Sequence, residues 1–194
     1  ILTLSTFESG FRAEESTQRS AEFSLNRDVN PFIDLYEKVL LPSESWENYN
    51  LVGISIVGIS QILPGLTLAR LLKEKYPHLH ITLGGPIFSV NSKQLMGHPK
   101  FFQQFCDSII TFEGEEPLHR LLTTLKNGST LRGVPNLIFC EDGKIKSNEE
   151  RVELRFEEMP PPTFDGLPMD LYLSPYPILP VLQSRGCYWG KCTF

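Results

Sequence analysis

A chain of 194 residues, 41% hydrophobic and 21% charged, is long enough to bury one α/β core and too apolar to stay disordered. Its net charge of -5, from 18 Lys and Arg against 23 Asp and Glu, excludes a binder that works by neutralising nucleic-acid phosphates. No run approaches the roughly 20 apolar residues of a membrane helix, and no basic segment marks Ile1–Ser5 as a signal peptide.

Residues 1–28 read as an irregular segment, with a short strand at Ile1–Leu4 and a polar stretch from Glu8 to Glu22. The α/β domain is expected over residues 29–156. Asn30-Pro31 opens a helix, because Asn caps orphan N–H groups and Pro suits the first helical position. Phe32, Leu35, Tyr36, Val39 and Leu40 form its expected apolar face, and Pro42 its end. Leu51–Ile56 is a short apolar run, the pattern of a strand buried on both faces. A loop at Val57–Leu63 precedes a helix from Pro64, with Leu68, Leu71, Leu72 and Tyr76 at helical spacing and Pro77 as its stop. Leu79–Leu83 is the second strand, closed by Gly84-Gly85-Pro86. This strand–helix–strand passage is a right-handed crossover between parallel strands.

Helical turns are expected at Ser92–Met96 and Phe101–Phe105, and a third strand at Asp107–Thr111. Glu115-Glu116-Pro117 starts a helix with Leu118, Leu121, Leu122 and Leu125, stopped at Asn127-Gly128. Glu141-Asp142-Gly143 between two alternating runs is a hairpin signal. The fold class is therefore α/β, three-layered, with a mostly parallel Rossmann-like sheet, a small hairpin and a Pro-rich tail. Residues 157–179 read as an extended linker, since seven of the fifteen prolines lie between Pro160 and Pro180. Pro180–Ser184 looks like the opening strand of another domain, whose truncated start residues 180–194 would be.

Three groups of residues could carry chemistry. Ser55, Gly84 and Gly85 end two neighbouring strands at the sheet edge where open α/β folds bind ligands. A Gly pair there is either a tight turn or a place where a ligand meets backbone. Glu113-Gly114-Glu115-Glu116 suits a helix N-terminus better than a cation site. Cys187 and Cys192, in a Gly- and aromatic-rich loop, read as soft-metal ligands, with a disulfide as the other reading. A zinc ribbon would need a second pair. His78, His80, His98 and His119 are scattered and read as non-ligands. Four cysteines in this distribution fit a reducing, cytoplasmic compartment.

Leu51–Phe88, Asp107–Leu125 and Pro160–Phe194 resemble the front part of the cobalamin-binding radical S-adenosylmethionine proteins. That family includes oxidative cyclases of magnesium-protoporphyrin IX monomethyl ester and maturases of ribosomal peptides. The motifs are the strand ending in Ser55, Leu83-Gly84-Gly85-Pro86, Glu113-Gly114-Glu115, the Pro-rich stretch with Leu171-Tyr172, and Ser184-Arg185-Gly186-Cys187. The resemblance implies cobalamin at Ser55, Gly84 and Gly85. It implies a 4Fe–4S cluster with Cys187 and Cys192 as its first ligands, S-adenosylmethionine, and a C-terminal radical domain as the partner. The third cluster cysteine would directly follow Phe194, so the chain is expected to be a fragment, inactive alone and without a catalytic residue. Cys187 and Cys192 enclose four residues where the family commonly has three, and Phe112 stands where it usually has Gly. No Asp-x-His-x-x-Gly motif is present, which implies cobalamin bound without an axial His. Two alternatives stay open: a scaffold that docks substrate or the radical domain without cobalamin, and a flavodoxin-like regulatory domain, against which the cysteine tail argues.

Overall fold

The computed structural model describes residues 22–152, 159–176, 178–181 and 191. Two compact units divide the chain, Ile1–Glu153 and Leu154–Phe194. The expected strand at Ile1–Leu4, the residues 182–190 and Cys192 lie outside the described residues.

The first unit is built on one five-stranded sheet: β1 (Leu51–Ser55), β2 (His80–Gly84), β3 (Ser108–Ile110), β4 (Leu137–Glu141) and β5 (Lys144–Ser147). The strands lie side by side in chain order. β1, β2 and β3 are parallel neighbours, as the two crossover passages require. β4 and β5 continue the same sheet antiparallel, so the hairpin is part of the main sheet. Asp142 (φ 54) and Gly143 (φ 72) give the tight turn between them its left-handed pair.

Helix α1 (Pro31–Leu35) is capped by Asn30, whose Oδ1 accepts from the Phe32 N–H at 3.1 Å. Asn30 Nδ2 also donates to Thr67 Oγ1 at 2.8 Å, which fastens α1 to α2 (Ile62–Lys75). The expected apolar face is only partly the buried one. Ile33 and Leu41 are buried, whereas Leu35 and Val39 are exposed. The bond from Asn30 to Thr67 seats α1 against α2, and a π-helical stretch, Tyr36–Leu40, then carries the chain into Leu41–Ser43. Pro42 lies within this last turn instead of ending the helix at its threshold. It has no N–H for an i−4 bond, and the wider turn accommodates it.

Alternation along the strands builds three layers. Ile81, Leu83, Ile109 and Ile138 face α2 and α5 (Pro99–Phe105), meeting Leu66, Ala69, Leu72, Phe102 and Phe105 in the larger core. Ile110, Leu137 and Phe139 face the other way, onto Leu121 of α6 (Glu115–Lys126). Each of the buried Leu, Ile and Phe side chains contributes about 1.5–3 kcal/mol. Between β2 and α5 run two short helices, α3 (Pro86–Val90), which the sequence does not announce, and α4 (Ser92–Leu95). In the second unit, Met169–Leu171 forms a 3-10 turn, with a turn at Asp165–Gly166 before it and a run of bends after it.

Candidate functional site

β1 and β2 end together. Ser55 is the register partner of Gly84, and the ladder runs one step further, the Ile56 N–H donating to the Gly84 carbonyl at 2.8 Å. Leu51 packs toward α6 and Val52 and Ile54 toward α2. By the two-residue period, Gly53 and Ser55 then share the α6 side with Thr82 and Gly84. This corner of the sheet is lined by small residues. Ser55 is exposed, and its hydroxyl makes no hydrogen bond to a described residue.

The glycines differ in what requires them. A Cβ at Gly85 would fall 2.2 Å from the Ile56 carbonyl oxygen, and φ is +110°. The chain's own backbone therefore demands glycine at 85. At Gly84 a Cβ would meet only the Ile110 carbonyl oxygen, at 3.7 Å, and at Gly53 only Thr82 Cγ2, at 3.6 Å. Neither position needs glycine for packing, and glycine weakens a strand. Gly53 lines this corner too, and it is not among the candidate residues that the sequence singles out. Its signal was a glycine inside an apolar strand run.

The loops around this edge are fixed. Gln61 Oε1 accepts from the Val57 and Gly58 N–H groups at 2.8 and 3.1 Å, shaping the turn after β1. Ser89 of α3 bridges the ends of β2 and β3: its hydroxyl donates to the Gly85 carbonyl at 3.5 Å and accepts from the Phe112 N–H at 2.7 Å. Ser89 had no sequence signal, because nothing in the sequence announces α3. Glu115 and Glu116 lie in the first turn of α6, where Glu116 pairs with Arg120 at 2.7 Å. That is the helix-start role.

Away from this edge, His80 Nε2 lies 2.8 Å from Ser108 Oγ, which donates to Thr82 Oγ1 at 3.0 Å. Asp107 accepts from the Ile81 N–H at 2.8 Å and pairs with Lys73 of α2. Gly84 lies four steps beyond His80, about 13 Å along a strand. His80 therefore does not reach the Ser55–Gly84 corner. Burial lowers the His80 pKa below its ordinary 6.5; Asp107 opposes the shift and Lys73 adds to it. An unfolded chain takes up a proton that the folded chain resists. Stability is thus fully present above the unfolded value and is lost as pH falls from there toward the lower folded value. Thermal melts between about pH 7.5 and about pH 5.5 are expected to show a falling melting temperature, with a shallower fall in His80→Asn. Equal slopes in both proteins would assign the loss to other groups.

Among the described residues no group of three or more His, Cys, Asp or Glu is placed to hold a metal ion. Cys106 and Cys140 are free, and burial pushes the Cys106 thiol up. Among the described residues no helix is long and apolar enough to cross a membrane.

No family model matches the chain. Over 150 residues it is 29% identical to an uncharacterized methyltransferase of Pyrococcus horikoshii, a match that covers 75% of this chain and 31% of that protein. The chain thus spans about a third of the length of this relative.

Proposed function

We propose that this chain is the cobalamin-binding α/β part of a radical S-adenosylmethionine enzyme. The observation that carries the proposal is the Ser55–Gly84 pair, in register at the carboxyl edge, beside glycines that packing does not require. Open parallel sheets bind ligands at that edge. Ser55 would donate its free hydroxyl to the ligand. Gly53 and Gly84 would let a flat macrocycle or its nucleotide tail lie against bare backbone. Gly85 would hold the turn that keeps β1 and β2 flush. The absence of an Asp-x-His-x-x-Gly motif favours binding without an axial His. When bound, cobalamin supplies a cobalt centre able to carry a methyl group.

Cys187 and Cys192 would be the first ligands of a 4Fe–4S cluster that activates S-adenosylmethionine in the C-terminal radical domain. The Pyrococcus relative is named for methyl transfer, which supports methyl transfer over oxidative cyclisation of a magnesium-protoporphyrin ester. The free thiols of Cys106 and Cys140 support a reducing, cytoplasmic setting.

Equilibrium dialysis with hydroxocobalamin tests this reading. The native chain is expected to bind. Gly84→Val is expected to bind about tenfold or more weakly while melting within a few degrees of native, since its side chain projects from an unobstructed position. Replacing His80 should leave binding unchanged. A folded native chain that binds no hydroxocobalamin would overturn the reading in favour of a docking scaffold.

A further inference from the structure

Phe112 has φ +59°, in the left-handed region. The other described non-glycine residues there are Asn136 and Asp142, whose short polar side chains tolerate it. A bulky aromatic does not, and the strain costs on the order of 1–3 kcal/mol.

The surroundings hold the strain in place. The Phe112 N–H donates to Ser89 Oγ at 2.7 Å. The next carbonyl, of Glu113, accepts from Asn136 Nδ2 at 3.3 Å. Burial does not compensate for the strain, because Phe112 is 47% exposed. The Arg151 guanidinium carbon lies 3.8 Å from the ring centroid and covers one face. Neither backbone preference nor core packing accounts for a phenylalanine here.

Its position does. Phe112 follows β3 by two residues, and Ile110 of that strand is the residue that approaches Gly84. Ser89 ties the Phe112 amide to the Gly85 carbonyl. The Phe112 backbone therefore stands at the carboxyl edge, just past the end of β3 and next to the end of β2. We propose that Phe112 is an aromatic platform for a flat conjugated ligand at that edge, with Arg151 fixing the ring from behind. This rests on the reading of the edge as a cobalamin site and adds a specificity residue to it. Stacking on an aromatic ring is worth about 0.5–1.5 kcal/mol beyond area burial.

The test compares the native chain with Phe112→Gly, Phe112→Tyr and Gly84→Val, by hydroxocobalamin dialysis and thermal melts. Phe112→Gly is expected to melt at or above the native temperature, because glycine relieves the strain, and to bind roughly 3- to 10-fold more weakly. Phe112→Tyr keeps the ring and should bind like native. If Gly84→Val loses binding but Phe112→Gly does not, the platform is wrong and the edge site stands. A melting temperature lowered by more than a few degrees in Phe112→Gly would assign the ring to the fold and overturn the platform. If the native chain binds nothing, the edge reading falls and the platform with it.

Discussion

Gly85→Val is expected to lose at least about 3 kcal/mol of stability, seen as a melting temperature lower by roughly 10 °C or more. The loss has two sources. At φ +110° and ψ 166° the backbone sits in a region open almost only to glycine. A Cβ there would also lie 2.2 Å from the Ile56 carbonyl oxygen and 2.8 Å from its carbon. These are backbone atoms that continue the β1–β2 ladder, so they cannot swing aside as a side chain would. Relief would require β1 and β2 to part at their carboxyl ends. Gly84→Ala, one residue earlier, is the control and is expected to cost less than about 1 kcal/mol, because its Cβ makes only an ordinary contact. Equal melting temperatures for the Gly84 and Gly85 variants would show that the close approach to Ile56 is not what requires glycine at 85. Loss of ligand binding in a Gly85 variant would follow from loss of the edge, so Gly84 is the informative position for binding.

Asn136→Ala is expected to cost about 2–4 kcal/mol. Asn136 is buried and joins three segments. Its Nδ2 donates to the carbonyls of Val152, at 2.8 Å, and Glu113, at 3.3 Å. Its Oδ1 accepts from the Val152 N–H at 3.1 Å, and its own carbonyl accepts from the Thr111 N–H at 2.9 Å and from Thr111 Oγ1 at 3.0 Å. Truncation leaves the Val152 N–H and the Glu113 carbonyl without this partner. It also places alanine at φ +54°, which asparagine tolerates better. Asn136→Gly removes the same hydrogen bonds but not the backbone ease, so the order of stability should be native, then Gly, then Ala. Chemical denaturation measures all three. A loss below about 1 kcal/mol for Ala would show that the amide is dispensable. Because Glu113 follows Phe112, the Ala variant should also loosen the aromatic ring at the edge.

The order of elements was largely legible in the chain. Leu51–Ser55 and His80–Gly84 announce themselves as apolar runs ended by small or turn-forming residues, and the helix between them by its leucine spacing. Asp142-Gly143 announces the hairpin, since two left-handed residues in sequence are rare elsewhere. Asn30-Pro31 announces the start of α1. These signals are local, and local physics sets them: capping, φ restriction and the two periods of side-chain direction.

By itself, then, the sequence determined the α/β class, the parallel β1–β2–β3 passage, and the convergence of Ser55 with Gly84-Gly85 at one edge. Tertiary structure alone decided which glycine is structural, because the Ile56 carbonyl that excludes a Cβ at Gly85 comes from the residue after β1, 29 positions earlier in the chain. It decided that the hairpin joins the main sheet, since a hairpin signal does not specify a third partner. It decided the face that α1 buries, through the bond from Asn30 to Thr67 of α2. It also set the backbone of Phe112, held by Ser89 from 23 residues away and, through Glu113, by Asn136. Each of these rests on a contact between residues far apart in the chain, and such contacts exist only once the layers have packed.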